Sequence, residues 1–117
     1  MKYLCLVYLD EQRLPELSDA DCVAYDATIR ASGHCLASEA LESVQTATTV
    51  RVRNGKLSVT DGPFAETKEQ LTGFYLIEAQ DLDEAIQIAA NIPPAQAGSI
   101  EVRPIRPIRE TVAAQAR

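Results

Sequence analysis

The densest group of charged side chains lies in the segment DGPFAETKEQL, residues 61–71. Asp61 and Glu66 are five residues apart across a turn. Their carboxylates can therefore share a proton, with one acting as a base whose pKa is raised by the other or by burial. Lys68, and Arg51 on a preceding strand, can neutralise an anionic substrate or a developing enolate-like charge. We take Asp61 and Glu66 as candidate catalytic residues, and Lys68 and Arg51 as candidate substrate-binding residues.

The backbone of this segment reads as a rigid corner followed by a short helix. Pro63 locks its own φ and pushes the preceding glycine toward an extended conformation. Thr67 followed by Gln70 matches a capping box, which predicts a helical turn beginning at Lys68. Phe64 is expected to anchor the corner by burial. A purely structural role for the segment, with its charged side chains in water, stays open.

Other candidate residues lie outside this segment. Tyr8 and Tyr75 are on predicted central strands, where each either points a hydroxyl into a ligand cleft, as a substrate-binding residue, or packs in the core. His34 and Cys35 with Cys22 are soft metal ligands, but a lone His-Cys dipeptide is a weak signal and buried thiols behave as small apolar groups. We predict no metal and no cofactor.

Length and composition indicate one globular domain. The 117 residues are 46% apolar and 24% charged, which is ordinary for a cytoplasmic protein. The net charge of −6 argues against binding to nucleic acid or anionic membranes. No apolar run is long enough for a membrane span, and the apolar N-terminus is too short for a signal peptide. Three cysteines without a Cys-x-x-Cys motif suggest reduced thiols.

Hydrophobic periodicity predicts strands at 2–9, 34–41 and 73–79. Asn54-Gly55 is a strong hairpin signal between 48–53 and a return strand through Leu57 and Val59, and Val50 and Val52 are predicted to face inward. A last strand is predicted at 100–103. Two longer helices follow capping residues: one from about Asp19 to Ser32 after Ser18, and one after Asp81 with an apolar stripe of Leu82, Ala85, Ile86, Ala89 and Ile92.

The order of elements is β-α-β, an inserted hairpin, then β-α-β, which predicts an α+β, ferredoxin-like βαββαβ fold. Two helices can cover only one face of the sheet, yet strands 2–9 and 73–79 are apolar on both. A second copy of the chain would cover the other face, so we predict a homodimer. The predicted domain spans 1–109, and 110–117 are expected to be a flexible tail.

The sequence resembles the DGPF-type branch of the YCII-related family. The resemblance rests on DGPFAETKE at 61–69 and GFYLIE at 73–78. MKYL at 1–4, TTVRVR at 48–53 and IEVRP at 100–104 also fit, so the similarity extends to about residue 104. It implies a homodimeric α+β barrel with a cleft for a small molecule between the sheet and the loop.

The resemblance leaves two functions open. Some relatives are associated with a histidine–aspartate acid–base pair and dehydrochlorinase-like activity, which implies small-molecule binding with cofactor-free proton-transfer or elimination chemistry. That histidine would lie near the first helix, whereas residues 18–32 contain none and the single histidine is His34. Family members are also encoded near extracytoplasmic-function sigma factors, which implies a non-catalytic regulatory or interaction module.

The two functions predict different structures. An enzyme predicts a concave pocket that Asp61 faces, with a carboxylate whose pKa is perturbed. An interaction module predicts a loop packed shut, with its carboxylates on backbone amides and an exposed patch elsewhere. Whether the chain is an enzyme therefore depends on the geometry of residues 61–71.

Overall fold

The computed structural model describes residues 1–108, so the predicted tail at 110–117 lies outside the described residues. Within that range the chain forms six β-strands, two α-helices and three short 3-10 helices. The 3-10 helices span Glu11–Glu16, Val44–Thr46 and Pro93–Gln96. In chain order the other elements are β1 (Lys2–Leu9), α1 (Asp19–Ala31), β2 (Cys35–Ala40), β3 (Thr48–Arg53), β4 (Lys56–Asp61), β5 (Gln70–Glu78), α2 (Leu82–Ala90) and β6 (Ser99–Pro104).

Four strands form one sheet in the order β2-β5-β1-β6, and each neighbouring pair is antiparallel. This α+β arrangement is compatible with the ferredoxin-like fold, because β5 lies between the two strands that α1 connects. In the central pair, Tyr3 of β1 lies opposite Ile77 of β5, and Cys5 lies opposite Tyr75. The predicted strand order of a split β-α-β unit is therefore present.

The alternation of β1 separates the sheet into two faces. Its odd-numbered residues are buried against residues of both helices, and we call this side the helix face. The even-numbered residues are half-buried on the opposite side, which we call the open face. The helix face carries Tyr3, Cys5, Val7 and Leu9 of β1, and the open face carries Leu4, Leu6 and Tyr8 with Leu76 and Phe74 of β5.

Both predicted helix N-caps are confirmed. The Ser18 hydroxyl accepts a hydrogen bond from the Asp21 amide at 3.2 Å, and an Asp81 carboxylate oxygen accepts one from the Glu84 amide at 2.9 Å. These bonds satisfy amides that the first helical turn leaves without intrahelical partners. Each helix therefore begins where its capping residue predicts.

The predicted apolar stripe of α2 is wrong at two positions. Ala85 and Ala89 are buried, but Leu82 and Ile86 are each 49% exposed. Ile88 packs against the core instead. Residues 85, 88, 89 and 92 form the buried face, with the spacing of one side of a helix. Leu82 and Ile86 therefore lie at the edges of that face.

The hairpin is a separate two-stranded sheet of β3 and β4. Its turn is as predicted, because Asn54 and Gly55 both have positive φ, 54° and 73°. The expectation that Val50 and Val52 face inward is wrong for the single chain, since both are about 60% exposed. Their partners across the hairpin, Val59 and Leu57, are also exposed, so the four side chains make one uncovered apolar face.

Residues 62–69 do not form the predicted helix. Gln70 begins β5, and its side-chain amide donates to the Thr67 carbonyl at 2.8 Å. The Thr67 hydroxyl donates to the Glu69 carbonyl. The capping-box prediction fails because both side chains bond carbonyl oxygens rather than helix amides. Phe64 is 81% exposed, so its predicted role as a buried anchor is also wrong in the single chain.

We expect Ile77→Ala to lower the free energy of unfolding by about 2–5 kcal/mol, because Ile77 is fully buried between the strands and helices. Ile86→Ala makes the same substitution on the exposed surface of α2, and it should change stability by less than about 0.5 kcal/mol. Chemical denaturation followed by circular dichroism measures both. Equal losses in the two variants would contradict the assignment of the core.

Candidate functional site

Two clefts within residues 1–108 are lined by side chains that can bind a ligand or transfer a proton. The smaller, which we call the loop cleft, has a volume of about 460 Å³ and lies beside residues 61–67. The larger, which we call the helix cleft, has a volume of about 720 Å³ and lies between α1, β2, β5 and the first 3-10 helix. Both volumes are within the usual range for small-molecule sites.

A fixed corner positions the loop cleft. Gly62 follows β4 with a φ of 106°, a conformation that favours glycine. Its amide donates to the Ala47 carbonyl at 2.7 Å, and its carbonyl accepts from the Thr49 hydroxyl at 2.8 Å. These bonds connect the corner to the base of the hairpin. The orientation of the residues that follow is therefore set by backbone contacts.

Asp61 and Glu66 both line the loop cleft. Within residues 1–108 neither carboxylate accepts a hydrogen bond or forms an ion pair, so the loop is not packed shut on backbone amides. Pro63 and Thr67 complete the same side, and Val44 and Gln45 lie opposite. The structure thus places the two candidate catalytic carboxylates at one concave surface.

The other candidate residues do not join them. Arg51 pairs with Ser58 within the hairpin, and neither Arg51 nor Lys68 lines the loop cleft. Tyr8 lies on the open face of β1, while Tyr75 lies on the helix face of β5 and lines the helix cleft. The sheet therefore separates the two tyrosines, and the predicted substrate-binding residues are divided among different surfaces of one chain.

A closed hydrogen-bond network lies in the helix cleft. The Arg30 guanidinium bonds Asp26 at 2.8 Å through Nε and Ser38 Oγ at 2.7 Å through Nη2. The Ser38 hydroxyl donates to the other Asp26 carboxylate oxygen at 2.6 Å. The bond from Ser38, followed by Arg30, lowers the pKa of Asp26 against the opposing effect of partial burial.

Tyr75 and Tyr25 pack edge to face in this cleft, with ring centroids 5.8 Å apart. The Tyr25 hydroxyl donates to the Ile88 carbonyl at 3.0 Å. Burial, followed by the Asp26 carboxylate, raises the pKa of Tyr75 to about 12. Ser38 of the network lies opposite Tyr75 across β2 and β5, and both residues line the helix cleft.

The sequence contained part of the signal for this network. Asp26 and Arg30 have the i, i+4 spacing of a helical ion pair, and Ser18 marks the start of that helix. Ser38 joins them only because β2 returns beside α1. Sequence reasoning therefore missed Asp26, Arg30 and Ser38 as a cluster, since their contact depends on how α1 packs on the sheet.

The cysteines are free thiols. Cys5 is buried, and burial raises its pKa to about 11, followed by a contribution from Cys35. The His34 Nδ1 atom lies 2.9 Å from the Glu78 carbonyl oxygen. Among the described residues, no three His, Cys, Asp or Glu side chains are grouped as metal ligands would be.

A family model for the YCII-related domain matches residues 1–109. This chain belongs to the YCII-related family. A relative of this YCII-related chain, an uncharacterised protein of Rhizobium meliloti (strain 1021), is 54% identical over 61 residues. That alignment covers 50% of the chain and 49% of the relative, so the chain spans about half the length of the curated relative it matches. The family part of the resemblance is confirmed.

Neither α1 nor α2 of this YCII-related chain has the length and apolarity needed to cross a bilayer, and the same holds for every other helix within residues 1–108.

We expect Asp26→Asn to lower the free energy of unfolding at pH 7. The folded-state pKa of Asp26 lies below its ordinary value of 3.8, so the carboxylate contributes stability above that pH and loses it as the pH falls. The difference between wild type and variant should therefore shrink between about pH 5 and pH 2. Urea denaturation across this range measures it, with Glu42→Gln as the control. A difference that grows on acidification would contradict the assignment.

Proposed function

We propose that this chain is a homodimeric small-molecule-binding protein of the DGPF-type branch whose ligand occupies the loop cleft. The observation that supports this is the placement of Asp61 and Glu66 at one cleft with neither carboxylate paired within residues 1–108. Unpaired carboxylates at a concave surface can accept protons from a bound molecule. Cofactor-free proton transfer or elimination is the chemistry that this arrangement suits.

In the proposed chemistry Asp61 is the base that removes a proton from a carbon next to an electron-withdrawing group. Glu66 is its partner: the proton that Asp61 takes is passed through Glu66 to the leaving group or to the enolate oxygen. The proton balance therefore closes within the pair. A general base of this kind contributes roughly 100- to 10,000-fold to a rate. The cleft carries two carboxylates and neither Lys68 nor Arg51, so a neutral substrate fits it better than an anion.

The homodimer is supported by apolar surface that one chain leaves uncovered. Leu4, Leu6 and Leu76 lie on the open face, opposite the helices. The hairpin adds a second uncovered apolar face. Its charged residues are Arg51, Arg53 and Lys56, with Asp61 at the end of β4, whereas the whole chain carries −6. A second acidic copy is therefore a partner of matching chemistry for this basic, apolar arm. The paired sheets would make the α+β barrel.

The hairpin face also favours a second candidate function. An exposed apolar patch away from the loop is what a non-catalytic interaction module requires, and an extracytoplasmic-function sigma factor is the partner class that the family resemblance implies. This candidate differs from the first in placing the functional surface on the hairpin. Changes at Asp61 would then leave function intact.

We expect Asp61→Asn to slow deuterium incorporation into a neutral β-keto ester by at least 10-fold, because it removes the proposed base while keeping the size of the side chain. Proton NMR in D₂O follows the exchange at the carbon between the two carbonyl groups. Asp83→Asn makes the same substitution on the exposed first turn of α2, and should leave the rate unchanged. Equal rates for wild type and Asp61→Asn would overturn the catalytic role of Asp61.

Light scattering should give twice the chain mass for the wild type and a single chain mass for Leu6→Lys. The reason is that a lysine on the open face places a charge where the second sheet would pack. Ile86→Lys introduces the same charge on the outer surface of α2 and should remain dimeric. A wild-type protein that is monomeric at high concentration would contradict the proposed homodimer.

A further inference from the structure

The floor of the helix cleft is made of small residues. Ala40 and Gly73 are paired across β2 and β5 on the helix face, and Ser38 lies beside them. A Cβ atom on Gly73 would lie 2.9 Å from the Glu39 carbonyl oxygen, so the close approach of the two strands excludes a larger residue there. The hollow is therefore a consequence of the strand packing and cannot be filled at that position.

The walls are largely apolar. Leu14 and Leu17 come from the first 3-10 helix and the residue that follows it, and Val23 comes from α1. Cys22 adds a thiol whose pKa is raised by burial, so it packs as a neutral group. A volume of about 720 Å³ with apolar walls suits a small organic molecule.

Two of the four acids that line the cleft are already paired with protein groups, whereas Asp19 and Glu39 have no hydrogen-bond or ion-pair partner within residues 1–108. Asp26 accepts from Arg30 and Ser38 with both carboxylate oxygens. Glu11 accepts from the Ser43 hydroxyl at 2.9 Å and from the Val44 amide at 2.7 Å. The four acids outnumber the single guanidinium of Arg30. An anionic ligand would therefore be repelled.

The Tyr75 hydroxyl is an uncharged polar group of this cleft that can still donate a hydrogen bond. It has no hydrogen-bond partner within residues 1–108, in contrast to the Tyr25 hydroxyl, which donates to Ile88. Its raised pKa, about 12, keeps it protonated at neutral pH. A protonated phenol in an apolar cleft is a hydrogen-bond donor for an uncharged oxygen acceptor.

We propose that the helix cleft is a second binding site, which takes a neutral, mostly apolar molecule whose carbonyl oxygen accepts a hydrogen bond from the Tyr75 hydroxyl. The site does not depend on the loop cleft, because the two clefts share no lining residue. Tyr75 is a ligand-binding residue in this role. The Asp26–Arg30–Ser38 network positions the edge of α1 against β2, and the additional acids Glu11, Asp19 and Glu39 give the cleft its selectivity against anions.

The test is a titration of the ¹⁵N-labelled full chain with acetophenone, followed by NMR. We expect the amide signals of Ala40 and Gly73 to shift, and Tyr75→Phe to weaken binding about 3- to 10-fold, the loss expected for one neutral hydrogen bond. Benzoate and benzylamine carry the same ring with opposite charges. Benzoate should bind at least 10-fold more weakly than acetophenone, because the acids of the cleft outnumber its one guanidinium, and benzylamine should bind no more tightly than acetophenone.

Two variants serve as matched controls. Tyr8→Phe removes the same hydroxyl from the opposite face of the sheet, and Asp83→Asn removes a charge on the first turn of α2, outside both clefts, so both should bind acetophenone as the wild type does. Unchanged affinity in Tyr75→Phe would overturn the proposal. So would tighter binding of benzoate or benzylamine, or shifts confined to residues 61–67. Loss of binding in Asp61→Asn would show that the probe occupies the loop cleft instead.

Discussion

The central strand β1 is the constraint on which the rest of the structure depends. Its alternation places Tyr3, Cys5 and Val7 against the helices, where they form the core with Ile77 of β5. The same alternation places Leu6 and its neighbours on the open face, which the helices do not cover. Burying apolar surface stabilises a fold only where something packs on it. A chain with two apolar sheet faces and one helix layer therefore leaves one apolar face without a helix layer.

The sheet also decides which side chains can act together. Tyr8 and Tyr75 are both on central strands, but the two-residue period of a strand directs them to opposite faces. Tyr75 consequently belongs with Asp26 and Arg30 of α1 rather than with the acidic loop. Residues 1–108 therefore form chemically different clefts. One presents carboxylates without partners among these residues, and the other presents a phenol above a floor of small residues.

The loop cleft depends on a corner that the sequence marks clearly. Gly62 adopts a positive φ and is held by Ala47 and Thr49, so residues 61–67 have a defined path without forming a helix. Exposed Phe64 at the tip shows that this path is set by backbone bonds and not by burial of the aromatic ring. The carboxylates are thereby kept at the surface, where a ligand or a second copy can reach them.

Local patterns in the sequence predicted the strands, the two capped helices and the hairpin turn at Asn54, because these follow from periodicity and from short-range hydrogen bonds. They failed where the outcome depended on distant contacts. Thr67 bonds a carbonyl rather than a helix amide, and Val50 lies on a hairpin that no other part of the described chain covers. Only the tertiary structure brought Ser38 to Asp26, because a strand and a helix separated in sequence meet through the packing of the sheet.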